Sequence, residues 1–274
     1  MPEPGPESDD HDASPQIRIQ GPASAETLVY LPGVHGDWTL IAGFARALAD
    51  SVRLVQITYP RTLSWSVADY AHHIENTLAE HGIRTGWLLG ESFGSQIVWE
   101  IVSTERFRAK GVILAGGFAQ HPFPFMARVA TRLVGRSSFW VLTAAFRAYV
   151  TVSRARFRRS PETLACLDEF LARRTQRDCL ALQHRLALVA GNDPRSKARC
   201  ANIPVFGLTG FWDPIVPWYP ARTWLRRNCP GLQGHQVVWK ADHNVLGTAP
   251  DAAATQILKW MFKRPETDPG KRNG

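Results

Sequence analysis

Short apolar runs alternate with stretches of helical apolar spacing along most of the chain. Thr27–Leu31 is a compact apolar run stopped by Pro32 and Gly33, which reads as a buried strand. Residues 41–48 have helical spacing, and residues 52–57 form the next strand, ended by Tyr59 and Pro60. A helix follows with Val67, Ala71, Ile74 and Leu78 on one face. Ser66 and Asp69 supply its capping-box pattern, and Gly82 lies just past its end. Trp87, Leu88 and Leu89 then form a strand, and Ile97, Val98, Ile101 and Val102 mark a helix. Residues 111–115 read as another strand.

Alternating strands and helices predict an α/β fold with a mostly parallel sheet flanked by helices. The alternation breaks after Gly116 and Gly117. It resumes with strands at 203–208 and 236–239 and a last helix opened by residues 248–251. The intervening helical, arginine-rich stretch reads as a cap inserted into the core. The expected division is a disordered leader at 1–18, a core at 19–117 and 203–263, a helical cap at 118–202 and a flexible tail at 264–274. The leader is acidic and proline-rich with no apolar h-region, which argues against a secretory signal.

Composition adds three constraints. At 274 residues and 45% hydrophobic content, the chain supports one large core with a small appended subdomain. Its apolar runs are shorter than the roughly 18 residues of a membrane span, so no transmembrane segment is expected. Cys166, Cys179, Cys200 and Cys229 have neither C-x-x-C pairing nor metal-ligand spacing, and read as free thiols in a reducing cytoplasm.

The net charge of +8 is concentrated in one segment. Residues 119–200 hold 15 Lys or Arg against 5 Asp or Glu, while the remainder holds 17 against 19. The excess, including Arg154, Arg156, Arg158 and Arg159, has three readings. It is a solvated helix face, it steers anionic substrates such as acyl-CoA, or it lays the cap on an anionic membrane surface as a peripheral contact. No nucleic-acid-binding motif accompanies it, so a nucleic-acid partner is not expected.

Candidate chemistry centres on Gly90-Glu91-Ser92-Phe93-Gly94, a G-x-S-x-G placed between a strand and a helix. Such a turn forces strained backbone angles on the serine and lifts its hydroxyl clear of the sheet. A serine hydroxyl needs an imidazole base, and the base needs a carboxylate to fix its tautomer. Asp213 follows the strand ending near Leu208, and His243 follows the last strand; both fall at carboxyl ends of parallel strands, where open α/β sheets place their sites. The plain readings compete. Ser92 is alternatively a turn serine and Asp213 an Asp-Pro turn former. Asp242 is a rival acid but lies beside His243. His72, His73 and His184 fall in helical stretches and read as surface or core residues.

On these motifs the chain resembles the α/β-hydrolase family, whose order is Ser, then Asp or Glu, then His. The resemblance covers roughly residues 27–262, with the cap its weakest part. It implies the α/β-hydrolase fold, with the helical cap inserted after the sixth strand, and catalytic roles for Ser92, Asp213 and His243. One oxyanion donor is then the N–H of Phe93. The second comes from the loop after Leu31, where relatives carry His-Gly and this chain has Pro32-Gly33-Val34-His35-Gly36-Asp37. Counting from the strand end makes Val34 the donor, whereas matching the letters makes it Asp37. Val34 is preferred, since a carboxylate there repels the developing charge.

The resemblance implies a small-molecule acyl substrate, anionic or lipid-like chemistry included, and no metal or organic cofactor. Hydrolysis of an ester, thioester or related acyl bond is the expected activity. A lyase, a carbon–carbon hydrolase and a non-catalytic binding protein use the same fold. Phe123, Phe125, Met126, Phe139, Trp140, Phe146 and Tyr149 are candidates to line the pocket or merely to pack the cap. Oligomeric state stays open.

Overall fold

In a computed structural model, the described residues are 14–135, 137, 139–156 and 161–262. Seven strands form one sheet: β1 (Gln16–Gln20), β2 (Thr27–Leu31), β3 (Arg53–Thr58), β4 (Thr85–Glu91), β5 (Arg108–Ala115), β6 (Val205–Gly210) and β7 (Leu232–Val238). Their order is β1-β3-β2-β4-β5-β6-β7. All neighbours are parallel except β1, which pairs antiparallel with β3.

The helices are α1 (Ala42–Leu48), α2 (Val67–Glu80), α3 (Gly94–Thr104), α4 (Pro124–Gly135), α5 (Phe139–Arg156), α6 (Pro161–Ala172), α7 (Gln176–Gly191), α8 (Arg195–Cys200), α9 (Trp218–Asn228), α10 (Val245–Thr248) and α11 (Pro250–Met261). None is long and apolar enough to cross a membrane, among the described residues.

The period of two along a strand builds two cores. Leu28 and Tyr30 of β2 join Phe44 of α1 and Ile257 of α11 on one side of the sheet. Val29 and Leu31 join Ile74 of α2 and Ile97 of α3 on the other. The capping box at Ser66 and Asp69 forms as the sequence predicts.

Two expectations change. Residues 16–18, assigned to the leader, lie in β1. Its backbone continues the sheet beyond β3, Arg18 donates to Gln56 Oε1 at 2.9 Å, and Ile17 packs against the core. Five strands in chain order, β1 to β5, precede the insertion, not six. Of the rest of the leader, residues 14–15 are described and precede β1 without regular structure, whereas residues 1–13 and the tail at 264–274 lie outside the described residues.

Helices α4–α8 all fall between β5 and β6. The last of them packs on the core: Ala198 is buried in the cluster that holds α3, and Lys197 pairs with Glu100. The excursion over the sheet is therefore α4–α7. It is anchored by a small apolar cluster in which Val150, Leu167 and Phe170 meet Leu40 of the core.

Candidate active site

Ser92 sits at the turn between β4 and α3 with φ +48°, a left-handed value uncommon for a non-glycine residue. The glycines allow the turn. A Cβ at Gly94 would lie 2.1 Å from the carbonyl oxygen of Leu31, and one at Gly90 would lie 2.9 Å from Ser95 Cα. The strand and helix thus approach too closely for any side chain at either flank.

His243 Nε2 is 2.9 Å from Ser92 Oγ, and its Nδ1 is 2.8 Å from Asp213 Oδ2. Asp213 is buried, and its other oxygen accepts the N–H groups of Ile215 and Val216 at 2.9 and 2.8 Å. Those bonds fix the carboxylate behind the ring, so the Asp-Pro turn and the contact with His243 coexist in one loop. Burial alone pushes His243 down. The carboxylate of Asp213 and its hydrogen bond, with Glu91 and Asp242 further off, outweigh that and hold the imidazole above its ordinary value.

The rival Asp242 is engaged elsewhere. Its Oδ1 accepts from Asn244 N–H at 3.1 Å and Thr248 Oγ at 3.2 Å, beside the start of α10. His72 and His73 lie on α2, where His72 contacts Asn76 and Arg106 and His73 stacks on Trp65. His184 contacts the Trp65 carbonyl. None of these three approaches Ser92.

Val34 lines the same cavity as Ser92, whereas Asp37 faces a separate polar hollow. The carbonyl of Gly33 accepts the N–H of Gly36 at 3.0 Å. In a trans peptide, the Val34 N–H points the opposite way from that carbonyl. Asp37 instead accepts Thr39 N–H at 2.8 Å and pairs with Arg174. Burial raises Asp37, but His35 and Arg174 reverse this and bring it down to about 2. Phe93, the other expected donor, is fully buried and occupies the N-cap of α3, where the first N–H groups lack intrahelical partners.

The cavity over Ser92 measures about 480 Å³. Its apolar wall is made by Leu40 of the core and by Tyr149, Val152, Leu167, Phe170 and Leu182 of the inserted helices, with Trp212 and Ile215 from the loop bearing Asp213. Of the aromatic candidates, Tyr149 lines it. Phe123, Phe125, Met126 and Trp140 are exposed and lie outside its lining, and the side chains of Phe139 and Phe146 lie outside the described residues. Arg154 is exposed and pairs with Asp168. The side chain of Arg156 and all of Arg158 and Arg159 lie outside the described residues.

Sequence reasoning misses Glu91, Arg174 and Arg185. Glu91 is buried at the edge of the cavity, where it accepts a hydrogen bond from Tyr30 Oη and lies 3.9 Å from His35 Nε2. It stands inside the quoted pentapeptide, but neither charge nor spacing signals its burial. Arg174 donates to His35 O, and Arg185 to Val34 O and Pro60 O. Both sit within the arginine excess, indistinguishable in sequence from surface arginines.

The profile of the alpha/beta hydrolase family matches residues 28–256. No curated protein matches the chain. Among solved structures, a hydrolase from Pseudomonas aeruginosa PA01 superposes with a TM-score of 0.75 at 16% identity, over 91% of this chain and 95% of that one. A thermophilic esterase from Thermogutta terrifontis gives 0.73 at 17% identity, over 92% and 94%. An enol-lactonase from Burkholderia xenovorans LB400 gives 0.73 at 16%, over 91% and 97%. At such identities the likeness speaks to the fold alone. The profile match spans most of the chain, through the strands and loops that carry Ser92, Asp213 and His243, and the chain belongs to the alpha/beta hydrolase family.

Proposed function

We propose that the protein is a serine hydrolase that cleaves a carboxylic ester, thioester or related acyl bond through an acyl-enzyme on Ser92. The observation that carries this reading is the hydrogen-bonded line from Ser92 Oγ through His243 to Asp213, at 2.9 and 2.8 Å, on a serine with φ +48°.

Ser92 Oγ attacks the carbonyl carbon while His243 Nε2 takes its proton. Asp213 holds the Nδ1 proton and stabilises the imidazolium without itself being protonated. The N–H groups of Val34 and Phe93 receive the oxyanion. His243 then protonates the leaving alcohol or thiol as the tetrahedral intermediate collapses. Water, deprotonated by the same nitrogen, attacks the acyl-enzyme, and its collapse frees the acid and restores Ser92.

The apolar wall supports an acyl group of aliphatic or aromatic character, since a charged group there loses its hydration with little polar compensation. Esterases and an enol-lactonase are built on the same architecture, which agrees with carbon–oxygen acyl chemistry. The four unpaired thiols support a reducing compartment such as the cytoplasm.

The test is hydrolysis of p-nitrophenyl esters of increasing chain length, run beside labelling by a fluorophosphonate probe. Turnover and labelling that both vanish in Ser92→Ala are the expected result. Labelling without turnover on any ester would transfer the site to lyase or carbon–carbon chemistry. A folded protein that shows neither would end the assignment.

A further inference from the structure

The loop that carries Asp213 and the turn after β7 present connected aromatic rings to solvent. Phe211 stacks on Trp239 with centroids 4.2 Å apart, and Trp212 meets Phe211 edge-on at 5.3 Å. Trp218 links Phe211 to Tyr219, at 6.3 and 5.7 Å. Trp212, Tyr219 and Trp239 are 61%, 67% and 68% exposed. Single exposed apolar residues are ordinary on a protein surface, but a connected group of large rings marks an interaction site.

The group reaches the mouth of the cavity, because Trp212 is part of the lining. Beyond Tyr219 the surface turns basic, where Arg222, Arg226 and Arg227 surround a shallow hollow. From 211 to 240 the chain carries four basic residues and one acid, Asp213, which is buried against His243. The facing lip of the mouth has the same character. Helix α5 lines it with Tyr149 and Val152 and exposes Trp140 and Val141 farther along; it holds no acidic residue, Arg147 is exposed, and Arg154 pairs with Asp168 of α6.

This combination matches the chemistry of one kind of surface. Tryptophan and tyrosine settle at the boundary between headgroups and acyl chains, having an apolar body and a polar edge. Basic residues a short distance away are drawn to anionic headgroups. We propose that this face docks on an anionic phospholipid bilayer and sets the cavity mouth at headgroup level. The inference rests on the two lips and their charge, not on the reaction at Ser92.

Flotation of the full chain with vesicles tests it, using phosphatidylcholine alone and phosphatidylcholine mixed with phosphatidylglycerol. Binding to the mixed vesicles is expected, weakened by salt, with far less on phosphatidylcholine alone. Arg226→Gln with Arg227→Gln should weaken binding about fivefold per charge removed. Tyr219→Ala with Trp239→Ala should weaken it at low and high salt alike, and should reduce the blue shift of tryptophan emission on binding. Thermal melts verify that both double variants fold. Ser92→Ala should bind as the parent does, which separates this result from any result on turnover. Absence of binding to both vesicles, or double variants that bind like the parent, would overturn the proposal. So would bare vesicles together with a dimer that the aromatic variant dissolves, since the face would then belong to a second copy of the chain.

Discussion

Arg185, on cap helix α7, donates from Nη1 to the carbonyl oxygen of Val34 at 3.0 Å, and so ties the inserted helices to the loop that faces Ser92. The same guanidinium, 2% exposed, donates to Pro60 O at 2.8 Å and Tyr70 Oη at 3.3 Å and lies over the ring of Tyr59 at 5.4 Å. Glycine at 36 makes room for it. That residue has φ +84°, and a Cβ there would stand 2.3 Å from Arg185 Nη1.

Replacing Arg185 should therefore weaken both the inserted helices and the loop carrying Val34, the proposed oxyanion donor. Arg185→Met leaves two buried carbonyls without their charged donor, a loss of about 1.5–3 kcal/mol per bond at most. We expect a lower melting temperature together with a fall in kcat that exceeds any change in KM. Arg185→Lys, which restores one donor, should recover part of each. A variant that melts lower yet keeps the parental kcat would show that the contact only glues the cap to the core.

The raised His243 makes a prediction about pH. In the proposed mechanism the neutral imidazole is the base, so activity should fall as pH drops through its folded-state value. That value lies above the ordinary histidine figure of about 6.5. The acid limb of kcat/KM should accordingly have its midpoint above 6.5. Asp213→Asn removes the main raising influence, and should lower kcat about 10⁴-fold while moving the limb of the residual activity to lower pH. A parental midpoint at or below 6.5 would contradict this account.

Gly94→Ala should cost more than a methyl group usually does. The added carbon would stand 2.1 Å from a backbone oxygen, so β2 or α3 must shift rather than a side chain swing away. Overpacking of this kind costs about 1–3 kcal/mol, and here it also displaces Ser92 from His243. Loss of fluorophosphonate labelling by a variant that still gives a cooperative melt is the expected outcome. Labelling at the parental rate would show that the turn tolerates a wider gap.

What the sequence reveals follows from how locally each feature is encoded. The buried strands and α2 are legible because apolar period and capping chemistry are written in adjacent residues. Ser92, Asp213 and His243 are legible because each occupies a strand end in a fixed order, and their side chains do meet. Strand β1 escapes because five residues with three polar ones, on an edge, carry little apolar signal; pairing with β3 decides their conformation. The cavity wall escapes for a different reason. Tyr149 is as aromatic in sequence as Trp140 or Phe125, and only the packing of α5 and α6 on Leu40 determines which one faces Ser92. Arg185 and Arg174 are hidden within a basic segment by the same lack of local difference.

Trp212 and Asp213 are consecutive in the chain, one exposed at the cavity mouth and the other buried behind His243. For anyone reshaping the enzyme by directed evolution, the loop from β6 to α9 is therefore a poor place to randomise. Changes at Trp212 that alter the cavity mouth also disturb Asp213 beside it and its contact with His243, so the two traits would be selected together. The inserted helices offer a cleaner handle. Val152, Leu167 and Leu182 can be varied to resize the pocket while Arg174 and Arg185 are kept, and cap libraries that discard those two arginines would lose folded members before any substrate was tried.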